Sequence, residues 1–268
     1  MTPLLYEWTA PLALILYLLL FVLTVKAWAA SLQSVLLVVA LVSHGATVVP
    51  AWFAGHDVQF GFAVSVSWTL WLMVLLVWLE SWFQRLPKAT AALYPFAALA
   101  VVLPIAFPGT VRIPELSTLF RAHILLAMLA YGAFTVSAAQ AVLMSWLERS
   151  LHRGGRSSHW LDDLPSLLDL DAALQRSMAA GLLLVSLTLA TGVWVNLSLG
   201  YGPLRPDHKT IFTILTWFMV LGFFLGRWRW GWRGRVAARF ALIGFGLLLL
   251  AYVGSRFVVE VLLNPAVS

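Results

Sequence analysis

No cysteine occurs anywhere in the 268 residues, which excludes disulfides, thiolate metal sites and thiol relays. Any metal chemistry must therefore use histidine, of which there are six. Charge is nearly as scarce: Asp, Glu, Lys and Arg make up 10% of the chain, against about 25% in soluble proteins. What fills the space is apolar, at 62% hydrophobic residues and a mean hydropathy of +0.91. No soluble fold of this size hides that much apolar surface. The fold class that follows is an all-α polytopic membrane protein, one integral domain over 1–268 without a soluble module.

Eight apolar runs stand out, at roughly 9–28, 33–54, 61–82, 90–108, 121–146, 177–199, 209–226 and 237–262. Most reach the ~20 residues that a helix needs to cross ~30 Å of hydrocarbon. The fourth, interrupted by Pro95 and Pro104, is the weakest. The first begins Met1-Thr2-Pro3-Leu4 with no basic segment before it and carries Lys26 at its far end, so it reads as a retained span, not a cleaved signal peptide. With the N-terminus outside, twelve of the 17 basic residues fall in inner loops. The outer side keeps Arg112, Arg121, Arg205, Lys209 and Arg256. This positive-inside bias predicts an N-out, C-out orientation. The net charge of +6 follows from the inner loops and suits anionic headgroups, not nucleic acid.

The longest polar stretch, 147–176, reads as a cytoplasmic loop with a short interfacial helix over 165–176. His152 and His159 fall in it as solvated residues, and His56 in an outer loop. The outer segment 200–208, GYGPLRPDH, disfavours helix until Asp207 caps one beginning at His208. Several of the 14 tryptophans, among them Trp8, Trp28, Trp82, Trp146, Trp228 and Trp230, fall where interfacial belts belong; Trp68 and Trp71 lie deeper. The basic, tryptophan-rich segment 227–239 reads as an anchor at the inner face.

Three histidines fall inside or at the mouth of apolar runs, where a polar ring is a functional candidate by default. His44, between Ser43 and Gly45, is either a ligand-contacting residue with small neighbours that admit a flat group, or a structural histidine bonded to a neighbouring helix. His123 heads a stripe of small residues, Ala127, Ala130, Gly132 and Ala133, which serves helix packing or the edge of a porphyrin. His208 is either an interfacial surface residue or a partner to His123 at about the same depth, and two such imidazoles form the axial pair of a six-coordinate haem. Arg121, Lys209 and Arg256 are the basic residues flanking them, suited to propionates or to lipid headgroups. Glu80, near an inner helix end, reads as snorkelling.

The run Asp207-His208-Lys209-Thr210, then Leu215-Thr216-Trp217, then Gly231-Trp232-Arg233-Gly234-Arg235-Val236-Ala237-Ala238, then Ile243-Gly244-Phe245 and Tyr252, resembles the CcsA-type cytochrome c assembly family. His123 followed by Ala130-Tyr131-Gly132 is similar to that family's helix with a histidine at its outward start. The likeness is good over about 110–262 and one of layout before that; the assembly-like region is taken as about 61–262. It departs where the family has a tryptophan-rich outer segment, and in lacking a histidine in the 255–268 tail; both features fit a shorter, eight-helix HemX-like or YpjD-like branch. The resemblance implies a bacterial inner-membrane protein binding haem b non-covalently, with His123, His208 and His44 as metal ligands. It would handle haem for cytochrome c biogenesis, without turnover, alongside other maturation proteins. Two alternatives remain open: a quinone-reactive haem electron-transfer protein, and a non-haem regulator or scaffold of tetrapyrrole synthesis.

Overall fold

The computed structural model describes residues 3–28, 30–49, 58–82, 91–107, 111–113, 117–152, 165–254 and 257–258. Among these, eight α-helices follow the eight apolar runs: α1 (Pro3–Val25), α2 (Ala30–Val48), α3 (Phe62–Glu80), α4 (Tyr94–Ala106), α5 (Thr118–His152), α6 (Leu167–Ser198), α7 (His208–Trp230) and α8 (Arg235–Leu249). Six of them, all but α4 and α8, are long and apolar enough to cross a membrane. The protein is thus an all-helical polytopic membrane protein. Pro95 stands in the first turn of α4, where a missing N–H costs nothing, and Pro104 falls close to its end.

Packing divides the chain into two compact units, residues 1–116 with 256–268, and residues 117–255. In the first unit α1 packs on α2 and α4, and α3 packs on α4 and α2. Tyr17, Leu20, Ala40, Ala97 and Val101 form its core. The connections between α2 and α3 and between α4 and α5 contain a short antiparallel ribbon, β1 (Val58–Phe60) against β2 (Val111–Ile113), with Gln59 opposite Arg112. Three-residue strands leave no periodicity in the sequence.

In the second unit α5 lies along α6, α8 packs on α5, and α7 packs on α8 and α6. The cytoplasmic loop expected over 147–176 is smaller than its polarity implies. α5 continues to His152 and α6 starts at Leu167, so the expected interfacial helix is the first part of α6. Helices of 35 and 32 residues outrun the hydrocarbon, and their polar ends stay helical because nothing breaks them. Ser166 starts α6 by accepting from the Asp169 amide at 3.2 Å and donating to Asp169 Oδ2 at 2.7 Å. His152 is accordingly in the last turn of α5, its Nδ1–H donating to the Glu148 carbonyl at 2.8 Å.

Phe134 explains the small residues of α5, α6 and α8. A Cβ on Gly181 would stand 2.7 Å from Phe134 Cε2, and one on Gly244 would stand 3.3 Å from Phe134 Cε1. Of the stripe Ala127, Ala130, Gly132 and Ala133, the last three are buried and Ala127 is half-buried, a burial that suits helix packing. After α8 the backbone widens into a π-helical turn, Leu250–Gly254, and Tyr131 Oη donates to the Leu248 carbonyl at 2.7 Å just before it.

Candidate cofactor-binding histidines

His44, in the first unit, is fully buried on α2. Its Nε2 lies 3.0 Å from Ser67 Oγ on α3, and its Nδ1 lies 3.3 Å from Tyr17 Oη on α1. A neutral imidazole offers one donor and one acceptor, and both are taken. The ring therefore ties three helices together. The space expected beside Gly45 is filled by Trp71, whose Cζ2 would stand 3.0 Å from a Cβ there and whose Nε1 donates to the Leu41 carbonyl at 2.9 Å. Of the two roles open to His44, the hydrogen-bonded one is built here. A ligand reaches neither nitrogen without displacing Ser67 or Tyr17.

His123, in the second unit, is half-buried on α5 against α6. Its Nδ1 lies 3.1 Å from Thr191 Oγ1. That hydroxyl has a single proton, and two backbone carbonyls lie within its reach, Leu187 at 2.8 Å and Thr188 at 3.1 Å. The proton goes to a carbonyl, so Thr191 accepts from His123 and Nδ1 carries the ring hydrogen. The ring also makes a backbone hydrogen bond with Thr188. With Nδ1–H facing both Thr191 and that carbonyl, Nε2 keeps its lone pair, and no side chain among the described residues hydrogen-bonds it. The ring also stacks on Phe120 (centroids 6.2 Å apart, planes 9° apart), and its Cε1 would stand 3.2 Å from a Cβ on Gly192. An imidazole whose Nδ1–H is anchored and whose Nε2 is open has the form of an oriented metal ligand. This donor chemistry fits haem iron.

His208 is the first residue of α7 and is exposed. Asp207 caps the helix, its Oδ1 accepting from the Thr210 amide at 2.8 Å. Burial raises the Asp207 pKa, but the Thr210 hydrogen bonds and the charges of Lys209 and His208 outweigh it and hold the carboxyl below its ordinary value. Register places His208 relative to His123. α5 and α6 are antiparallel, with His123 opposite Thr191 and Gln140 opposite Ser177. α6 and α7 match Ser186 to Trp217, whose Nε1 donates to Ser186 Oγ at 2.8 Å. Carrying that register outward sets His208 level with about residue 195, four residues beyond Thr191, or about 6 Å. The two histidines thus lie at one end of the unit, about a turn apart in height.

Arg121 and Lys209 are both half-buried. Arg121 is two residues from His123, so the two side chains leave α5 on different faces. Arg256 and His56 lie outside the described residues. Among the described residues no three His, Asp or Glu side chains gather as a metal cage. Sequence reasoning missed Tyr17, Ser67 and Thr191, the hydroxyls that decide which histidine is open. Their one signal was polarity inside apolar runs.

A family model described as Cytochrome C assembly protein matches residues 3–263. The chain belongs to the cytochrome c assembly protein family. The match reaches back through α1 and α2, further than the region from about residue 61 that the motifs suggested. This family member is 33% identical over 142 residues to a 28.8 kDa protein of Azospirillum brasilense, covering 53% of this chain and 52% of that one. It is 26% identical over 170 residues to the inner membrane protein YpjD of Escherichia coli K12, covering 63% of each. It is 27% identical over 154 residues to the cytochrome c biogenesis protein CcsA of Prochlorococcus marinus MIT 9312, covering 50% of each. The chain therefore spans between half and just under two thirds of the length of these relatives. No solved structure matches it.

Proposed function

We propose that this family member binds a b-type haem non-covalently through His123 and takes part in haem handling for cytochrome c biogenesis, in the bacterial cytoplasmic membrane. The observation that carries the reading is the open Nε2 of His123, held by Thr191 through Nδ1. The names of the relatives, one an inner membrane protein and one a cytochrome c biogenesis protein, favour the same process and location. Bound haem would supply a redox-active iron centre. His123 would hold it through Nε2, Thr191 would orient that ring, and His208, about one turn away in height, is the second candidate to hold it. Lys209 stands beside that position, for a propionate. Partners of this function are haem, membrane lipid and other maturation proteins.

The orientation belongs to the same proposal. With the Arg-rich α7–α8 turn inside, the ends of the second unit that carry His123 and His208 face outward. A reporter active only in the cytoplasm, fused after Ser268, is expected to stay silent; activity there would reverse the orientation.

Absorption of the detergent-purified protein tests the cofactor. A low-spin, six-coordinate haem spectrum is expected. His123→Ala should lose haem, or give a high-spin form that added imidazole partly restores by filling the vacated position. His208→Ala should give a high-spin form with haem retained. Unchanged spectrum and haem content in His123→Ala would remove the proposal's foundation.

A further inference from the structure

The α7–α8 turn lies at the opposite end of the second unit from His123. Five arginines fall within residues 227–239, and no acidic residue falls among them. Two are engaged inside the fold. Arg227 Nη1 lies 3.9 Å from Asp171 Oδ2 and donates to the Trp232 carbonyl at 3.2 Å, and Arg235 Nε donates to Glu148 Oε1 at 2.8 Å. The other three, Arg229, Arg233 and Arg239, are exposed and have no carboxylate within ion-pair distance among the described residues.

The turn that presents them is held by hydrogen bonds at both of its glycines. Gly231 takes the left-handed conformation (φ 69°) that closes a helix, and its N–H donates to the Arg227 carbonyl at 2.9 Å. Gly234, also at positive φ, donates its N–H to Asp171 Oδ1 at 2.9 Å. Gln175 donates to the other oxygen of Asp171, so one nearly buried carboxylate clasps the turn from α6. Trp232 closes over Gly226, where any Cβ would collide with its ring, and stacks on Trp230 at 5.6 Å.

Trp228 and Trp230 are 85% and 67% exposed in the last turn of a 23-residue apolar helix. Exposed indoles at the end of such a helix sit at headgroup level, one side in hydrocarbon and one in water. Three exposed guanidiniums at that level, without a carboxylate partner among the described residues, suit an anion, and planar guanidinium matches phosphate oxygens bidentately. An anion with acyl chains satisfies the indoles as well, which a free phosphate does not.

We propose that the clasped α7–α8 turn is a binding site for the headgroup phosphate of an anionic phospholipid, held by Arg229, Arg233 and Arg239 with Trp228 and Trp230 at the acyl boundary. Arg227 and Arg235 shape the site and do not bind.

Native mass spectrometry of the full chain, titrated with phosphatidylglycerol and with phosphatidylcholine, tests this. The wild type should hold phosphatidylglycerol preferentially. The R229Q/R233Q/R239Q variant should bind it roughly a hundredfold more weakly, about fivefold per arginine removed, with phosphatidylcholine binding unchanged. R229K/R233K/R239K should keep most of the preference. Inorganic phosphate in excess, at constant ionic strength, should not displace the lipid. If the triple glutamine variant does not accumulate, R229Q alone, at an exposed position, should show the fivefold loss. Equal retention of the two lipids by the wild type, or an undiminished preference in the glutamine variants, overturns the proposal. Displacement by inorganic phosphate overturns it in favour of a soluble anion, and loss of a bound protein instead of a lipid overturns it in favour of a protein partner.

Discussion

His44 in the first unit and His123 in the second are both imidazoles within apolar helices, each hydrogen-bonded to a hydroxyl of a neighbouring helix. They differ in one valence. His44 spends both nitrogens, on Ser67 and Tyr17, and is fully buried. His123 turns Nδ1 to Thr191 and the Thr188 backbone, has no side-chain partner on Nε2 among the described residues, and stays half-buried. A closed ring is a cross-brace; an open one is a candidate ligand.

The largest effect that would break this comparison is expected at His44. His44→Ala removes a buried ring and leaves the Ser67 and Tyr17 hydroxyls short of a partner, which should cost about 2–4 kcal/mol of stability. Thermal unfolding in detergent would read it, while haem content per folded protein stays constant. Loss of haem from stable His44→Ala protein would show that the closed ring opens to a ligand after all.

A smaller effect sharpens the other side. Thr191→Val keeps the shape and removes the acceptor, so His123 loses the bond that fixes its tautomer. Haem affinity should fall roughly tenfold, within the range for a lost orienting partner, with little change in melting temperature. Thr191→Ser should restore it. Equal haem titration curves for wild type and Thr191→Val would mean that the hydroxyl only packs.

The smallest concerns the cap beneath His208. Asp207→Ala should cost about 1 kcal/mol, measured by thermal unfolding. The folded Asp207 pKa is lowered, so its contribution is present above an unfolded value of about 4 and is lost as pH falls through the folded value. Wild type should therefore lose stability relative to Asp207→Ala below about pH 4; parallel pH profiles would contradict this.

Much of the fold was legible because its signals are local. Apolar runs predict all eight helices, and Asp207 predicts the start of α7, since capping needs residues three apart in sequence. The continuation of α5 into 147–152 was not legible, because polar residues suit a loop and a solvated helix equally, nor was it legible that the helix read over 165–176 runs unbroken into α6. Nor was the Asp171 clasp on Gly234, which joins residues 63 positions apart.

For the candidate site, the sequence alone determined which rings sit in apolar surroundings, that no thiol competes with them, and that a basic turn follows the helix that His208 begins. Tertiary structure decided their chemistry. Whether an imidazole nitrogen is free depends on the register at which one helix meets the next: Thr191 opposite His123 leaves a lone pair, while Ser67 and Tyr17 around His44 leave none. Such contacts form between residues far apart in the chain, and no local pattern encodes which hydroxyl faces which ring.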